Sequence, residues 1–432
     1  MNRKTSGSQP TPQSPGVNDA FVGWIPVLDA AEDRGGPLGG VRLAVKDVLD
    51  VAGLPTGAGH PRWLATHDVP ARDATAVARL RAAGATVVGK THTDELAYSL
   101  GGTSRHYGAA PNPAAPDRLT GGSSGGAASA VAGGLADLSL ATDTAGSIRI
   151  PASYCGLYGL RPTHGRVPAD GIVPLAPSFD VAGLLTRRLE LLTVAAGVLL
   201  DPAPGTAAPA RLWAPADLWS QAAPAVREAL ARELARFDLP VDRTPMFDRL
   251  EAWHAGRAAF SLVQAFEAWG AHGAWITRER PEFGPGVGAR FENAGRVGAA
   301  ECEEGRAVVR GLGERLVARL GDGTVLAIPT APAPAPLRLR LGGGPGAPGG
   351  PGRTELAADP ALRAAIVGLT CLAGAAGAPA LSIPGAIVDG APVGLCLVGA
   401  PGADEDLLDL AAQADEHPPG PTAGAHYRED PA

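Results

Sequence analysis

The sequence predicts an α/β protein, with a large mixed β-sheet core covered by α-helices on both faces. Three observations predict it. The apolar run Val41–Val45, the helical pattern Asp73–Gly84 and the short run Thr86–Gly89 read as one β-α-β unit. Later, Val308, Leu312, Leu316 and Leu320 fall at helical spacing and lead into a buried strand over Thr324–Ile328. Finally, Ala380–Val388 and Val393–Val398 flank Asp389-Gly390, which reads as two strands around a turn.

Taken in order, residues 1–20 are polar, have no apolar segment of the secretory kind, and are expected to be disordered. The first strand ends on Lys46. The first helix has a cap at Asp73, apolar spacing and a closing Gly84. Between Gly121 and Ala152, two serines sit in glycine-rich turns joined by a small-residue helix and a short strand. The region of about 190–320 reads as variable and helical. Its Trp253, Phe260, Phe266, Trp269 and Trp275 stand out in a chain with 5% aromatic residues; core packing explains them better than a hydrophobic substrate entrance. Residues 331–352 are rich in Pro and Gly and are expected to form a flexible loop, either a lid or a plain linker. Ala364–Pro384 suits a buried helix feeding a core strand better than a membrane span. Asp404–Gln413 is a last helix, and 416–432 a disordered tail. No linker divides 21–415, which is expected to form one domain.

Composition excludes several classes. The net charge is −7 and no basic block or aromatic-interleaved cationic patch occurs, so nucleic acid is not an expected partner. Four scattered cysteines in 432 residues read as reduced thiols in a cytoplasm. Cys155 reads as packing. The nine histidines show no ligand-type spacing, so no metal site is expected. GGSSGG at 121–126 lacks the Lys-Ser/Thr of a phosphate-binding loop.

What remains points to acyl transfer. A glycine-framed serine exposes both its hydroxyl and neighbouring backbone N–H groups, a nucleophile and an oxyanion hole in one segment. Ser123 and Ser147 are both framed in this way. Among 37 basic residues only Lys4, Lys46 and Lys90 are lysines. Arginine serves most cation sites but stays charged, so a chain this sparing with lysine can reserve one for a base. Alone, Lys46 reads as a strand-end ion pair with Asp47 or Asp50; beside two such serines, the reading as a base is favoured.

VRLAVKD at 41–47, GGSSGG at 121–126 and TDTAGSIRIPAS at 142–153 resemble the amidase signature family. The likeness continues through Tyr154–Thr163, Val325–Thr330 and Ala378–Val398, and spans about 40–400 with a weaker middle. KDVLDVAGLPTGAG at 46–59 and DELAYSLGGTSRHYGAAPNP at 94–113 are most similar to the short plant-type amidase 1 group, which includes indole-3-acetamide hydrolases. The resemblance implies a Ser–cis-Ser–Lys triad with Ser147 as nucleophile, Ser123 as the bridging serine after a cis peptide bond, and Lys46 as base. It implies an oxyanion hole from the N–H groups of Thr144, Ala145, Gly146 and Ser147. It places Tyr98, Ser99, Gly101 and Gly102 near the acyl side of the substrate, with Ser124, Asp143 and Arg149 in support. Ser124 fits equally a cap on the following helix. The family commonly has Gly where this chain has Ala145, so a positive φ there would alter the hole. The implied reaction splits a small-molecule amide, an aryl or apolar primary amide such as an arylacetamide, into acid and ammonia. It needs no cofactor, metal or membrane, and a homodimer is compatible with it.

Three other readings share these residues. Gly122–Gly126 matches the G-x-S-x-G nucleophile elbow, but Pro113–Thr120 before it cannot be the central strand that motif requires. Related chains that lost the nucleophile act as receptor or scaffold domains, whereas Lys46, Ser123 and Ser147 are all present here. An ammonia-supplying amidotransferase subunit would need a partner.

Overall fold

The computed structural model describes residues 20–22, 35–338 and 360–416. The tails 1–19 and 417–432, and the part of the Pro/Gly loop from 339 onward, lie outside the described residues. The beginning of that loop is packed: Ala331 and Ala335 are buried, and Pro336 accepts the Leu119 N–H at 2.8 Å.

Among the described residues ten strands form one sheet: β1 (Arg42–Lys46), β2 (Thr86–Thr91), β3 (Leu138–Asp143), β4 (Tyr158–Arg161), β5 (Val181–Thr186), β6 (Arg211–Trp213), β7 (Val241–Asp242), β8 (Thr324–Pro329), β9 (Ala380–Val388) and β10 (Ala391–Val398). Their order is β2-β1-β3-β5-β4-β9-β10-β8-β6-β7. The sheet is mixed. β1 runs parallel to β2 and β3, and β6 parallel to β7 and β8. The middle, from β3 through β5, β4, β9 and β10 to β8, is antiparallel. The predicted β-α-β unit is β1, the helix Thr75–Ala82 and β2. β3, β5 and β10 are buried at every residue and run nearly unbroken in apolar or small side chains, as strands covered on both faces must.

Glycines let the covering helices approach. A Cβ at Gly394 of β10 would lie 3.2 Å from Ser153 Cα, in the helix Arg149–Cys155. One at Gly385 of β9 would lie 2.5 Å from Leu230, in the helix Pro224–Glu233. The helix Pro360–Ala375 is buried from Ile366 to Gly374 and leads into β9, as the sequence implied. No helix among the described residues is long and apolar enough to cross a membrane.

Two local readings are corrected. Asp73 does not cap its helix: the N-cap is Ala74, and the Asp73 carboxylate is taken by the Ala52 N–H at 2.7 Å and by Arg81 at 2.7 Å. Val308 does not join the buried stripe of the helix Ala299–Leu320. It is exposed, and the stripe runs through Gly305, Val309, Leu312, Leu316 and Leu320, steps of three and four that keep to one side of a 3.6-residue helix.

The conspicuous aromatics pack. Within the helix Leu250–Glu279, Phe260 stacks on Phe179 at 4.2 Å, Trp253 Nε1 donates to Gly368 O at 3.0 Å, and Trp275 Nε1 donates to Thr66 Oγ1 at 3.0 Å. Phe266 and Trp269 are half-buried against the core.

Candidate active site

The site gathers where β1 and β3 end side by side, in register from Leu43 with Leu138 to Val45 with Leu140. β1 releases Lys46 at its last residue, fully buried. β3 releases Asp143, after which 144–148 turn into the helix Arg149–Cys155. Ser123 precedes the helix Gly125–Ala132, whose Gly and Ala residues let its backbone lie close to the sheet.

Lys46 Nζ is 2.7 Å from Ser123 Oγ and 2.8 Å from Thr142 Oγ1. The peptide bond Gly122–Ser123 is cis. Lys46 forms no ion pair with Asp47 or Asp50: Asp47 pairs with Lys90 at 2.9 Å, and Asp50 accepts from Thr56. Burial is the dominant influence on the Lys46 amine and carries its pKa down to about 7, against the opposing pull of Asp94, Asp143 and Asp180. An amine at that value is about half neutral at pH 7 and largely neutral a unit above it, and the neutral form can accept a proton.

The loop bearing Ser147 is held from beneath by one carboxylate. Asp143 accepts the N–H groups of Gly146 at 2.9 Å and Ile148 at 3.1 Å, and pairs with Arg149 at 2.9 Å and Arg161 at 3.3 Å. Despite its burial, those two guanidinium groups hold its carboxyl well below the usual range. Arg149 also donates to Thr370 O, and Thr370 Oγ1 donates to Ala145 O at 2.6 Å. Ala145 is not among the positive-φ residues; Gly146 is, at +116°. The left-handed position is therefore filled by glycine, and Ala145 occupies ordinary backbone space. The same geometry revises the expected donor set, because the Gly146 N–H is already given to Asp143.

Ser147 is nearly buried, and its carbonyl accepts the Ser124 N–H at 3.3 Å. No hydrogen bond joins the Ser123 and Ser147 hydroxyls among the described residues. Ser124 stands at the N-cap position but makes no side-chain cap; its Oγ donates to Thr142 O at 3.2 Å. Tyr98 is buried against Phe291 with Arg290 over its ring. Ser99 Oγ accepts the Gly101 N–H, and Gly102 N–H goes to Asp94 Oδ2 at 3.1 Å. Asp94 in turn donates its own N–H to Ser123 O. Thr142, Asp94 and Asp180 were not singled out as site residues by the sequence. Thr142 and Asp94 each open a quoted motif, TDTAGSIRIPAS and DELAYSLGGTSRHYGAAPNP, a signal that could have found them, whereas Asp180 lies outside every quoted segment.

No strand is formed over Pro113–Thr120, so the G-x-S-x-G pattern lacks the context of a nucleophile elbow. Cys155 is buried beside Thr120 O. The fold does assemble one group that histidine spacing concealed: ligand atoms of His60, Glu95 and His106 lie within 4.8 Å of one another. His60 Nδ1 accepts the Arg62 N–H at 3.0 Å, which puts its proton on Nε2, facing Glu282 O at 3.1 Å. A metal on Nε2 would need the opposite tautomer, so the group serves as a hydrogen-bonded clamp.

A cavity of about 310 Å³ adjoins Thr142 and Thr144, with Val167, Ile172, Leu175 and Val181 among its walls.

The family model described as Amidase matches residues 27–237. The chain is 35% identical over 411 residues to Amidase 1 of Oryza sativa subsp. japonica, covering 87% of this chain and 90% of that one. It belongs to the amidase signature family. This amidase is also 42% identical over 207 residues to the indoleacetamide hydrolase of Pseudomonas savastanoi, 47% of this chain and 45% of that one. Among solved structures it matches one titled "Crystal structure of amidase" at a TM-score of 0.75 and 32% identity, covering 88% of this chain and 85% of that one. It is an α/β enzyme that hydrolyses amides.

Proposed function

We propose that this amidase cleaves a carboxylic amide to acid and ammonia through Lys46, Ser123 and Ser147, by way of an acyl-enzyme. The single observation that carries the reading is the 2.7 Å contact between Ser123 Oγ and a buried amine whose pKa is lowered to about 7. Neutral Lys46 takes a proton from Ser123 as Ser123 takes one from Ser147. The Ser147 oxygen attacks the amide carbon, and the carbonyl oxygen gains the charge. N–H groups of Thr144, Ala145 and Ser147 are the donors left for it. Collapse breaks the C–N bond, and Ser123 returns a proton to the departing nitrogen, which leaves as ammonia. Water then attacks the Ser147 ester, and the acid departs with Ser147 reprotonated. The mechanism calls on no cofactor.

For the substrate we propose an aryl or apolar primary amide such as an arylacetamide. The apolar cavity beside Thr142 and Thr144 supports this, as does the likeness to an indoleacetamide hydrolase.

The test is ammonia release from indole-3-acetamide, phenylacetamide, benzamide, a short aliphatic amide and a urea-type amide, run beside Ser147→Ala. Release by the native enzyme and none by the variant is expected. Native rates in Ser147→Ala together with loss in Ser124→Ala would move the nucleophile and sink the assignment.

A further inference from the structure

A second, smaller cavity shares no residue with the apolar one. Leu100, Gly101, Tyr154, Leu362, Arg363 and Ile366 are among its walls. It stays close to the loops of the site. Leu100 O accepts the N–H of Gly122, the residue before Ser123. Tyr154 lies on the helix that begins two residues after Ser147. Ile366 is one turn before Thr370, which holds the Ala145 carbonyl.

Two polar groups on this wall are unsatisfied among the described residues. Tyr154 is 1% exposed and its hydroxyl is buried without a partner. Arg363 Nε is likewise buried without one, and the side chain forms no ion pair. A second guanidinium stands near: Arg290 donates Nε to Tyr98 O at 2.8 Å with its charge over the Tyr98 ring at 5.4 Å. Burial, and then the charge of Arg363, bring Arg290 down to about 9. Asp94 and Glu95 offset part of the Arg290 charge, but among the described residues no carboxylate offsets Arg363. Arg257 adds a further positive charge toward Arg363. Three helices thus deliver like charges toward one place, which is unfavourable unless an anion joins them.

We propose that Arg363 and Tyr154, with Arg290 behind them, form a subsite for a carboxylate carried by the acyl part of the substrate. The proposal rests on the triad reading above and adds the chemical class of what the enzyme accepts. The enclosed space is about 20 Å³, room for the tip of a ligand and not for its body. Arg363 and Thr370 are seven residues apart on one helix, roughly 10 Å of rise, so the carboxylate sits several bonds from the scissile carbonyl. Phenylacetamide with a para carboxylate has about that reach.

The test compares 4-carboxyphenylacetamide with phenylacetamide, which share the reacting group and differ by the anion. The quantity read is the ratio of their kcat/KM values. The native enzyme is expected to favour the carboxylated amide at least tenfold. Arg363→Gln should lower the ratio roughly 10- to 100-fold, mostly through KM for the carboxylated amide, since a charge-assisted bond is lost. Arg363→Lys should recover part of it, and Tyr154→Phe should lower it several-fold. A native ratio at or below one, or a ratio unmoved in Arg363→Gln, overturns the subsite. Calorimetric titration of 4-carboxyphenylacetamide into Ser147→Ala, with and without Arg363→Gln, reads binding without turnover. If the native enzyme hydrolyses neither amide yet the titration shows Arg363-dependent binding, the triad reading has failed and the subsite stands. Turnover of phenylacetamide with no preference fails the subsite alone.

Discussion

Lys90 Nζ lies 2.9 Å from Asp47 Oδ1, both side chains fully buried, so the carboxylate next to Lys46 in the chain is spent on a different lysine. Lys90 pairs with Val45 across the β1–β2 ladder, which brings it beside Asp47. The two buried lysines therefore differ in kind: Lys90 has a counter-ion and Lys46 has two hydroxyls.

This difference predicts a pH–rate profile. With Lys46 lowered to about 7 and active when neutral, kcat/KM should rise tenfold per pH unit below pH 7 and level off above it. Lys46→Arg should restore nothing, because a guanidinium does not give up its proton. Initial rates from pH 5 to 9 check this; a flat profile for an active enzyme would remove Lys46 as the base.

The same shift predicts a stability difference. Lys46 binds its proton more weakly in the folded chain, near 7, than in the unfolded one, near the ordinary lysine value of about 10.4. Between these values only the unfolded chain holds the proton, so stability rises with pH by up to about 1.4 kcal/mol per unit. Any stability advantage of Lys46→Met should be largest below pH 7 and shrink by about 2 kcal/mol between pH 7 and 9. Urea denaturation midpoints of the two proteins measure it, and parallel curves would contradict the lowered amine.

Gly146 and Ala145 should respond oppositely to exchange. A Cβ on Gly146 would lie 2.9 Å from Thr370 Cγ2 at a φ of +116°, so Gly146→Ala should distort the loop and lower kcat by roughly 100-fold. Ala145→Gly, with no positive φ to relieve, should change kcat by no more than about threefold. Equal effects in steady-state assays would mean that the loop conformation is not what limits the rate.

Asp143 should be the costliest carboxylate to neutralise. Asp143→Asn leaves Arg149 and Arg161 buried without their counter-ion and should cost about 3–5 kcal/mol. Asp137→Asn breaks the partly exposed pair with Arg42 and should cost no more than about 1 kcal/mol. The Asp143 contribution is complete above the unfolded carboxylate value and is lost only as pH falls through its much lower folded one, so mild acid should not mimic the substitution. Chemical denaturation of both variants at pH 7 gives the comparison.

The sequence by itself determined the α/β class, the strand that ends on Lys46 and the two glycine-framed serines. Each is written in a short local pattern: a period of apolar residues, or glycines beside a hydroxyl. Tertiary structure alone decided what Lys46 touches. Thr142 comes from β3, Ser123 from a loop, and Asp47 is drawn off by Lys90 on β2, so the neutral amine depends on which strands lie side by side. Tertiary structure also decided that Gly146, rather than Ala145, takes the strained backbone, and that Arg257, Arg290 and Arg363 of three helices share one region. Burial and counter-ion supply depend on neighbours distant in the chain, and it is these neighbours that lower the Lys46 amine and, among the described residues, leave Arg363 without an ion pair.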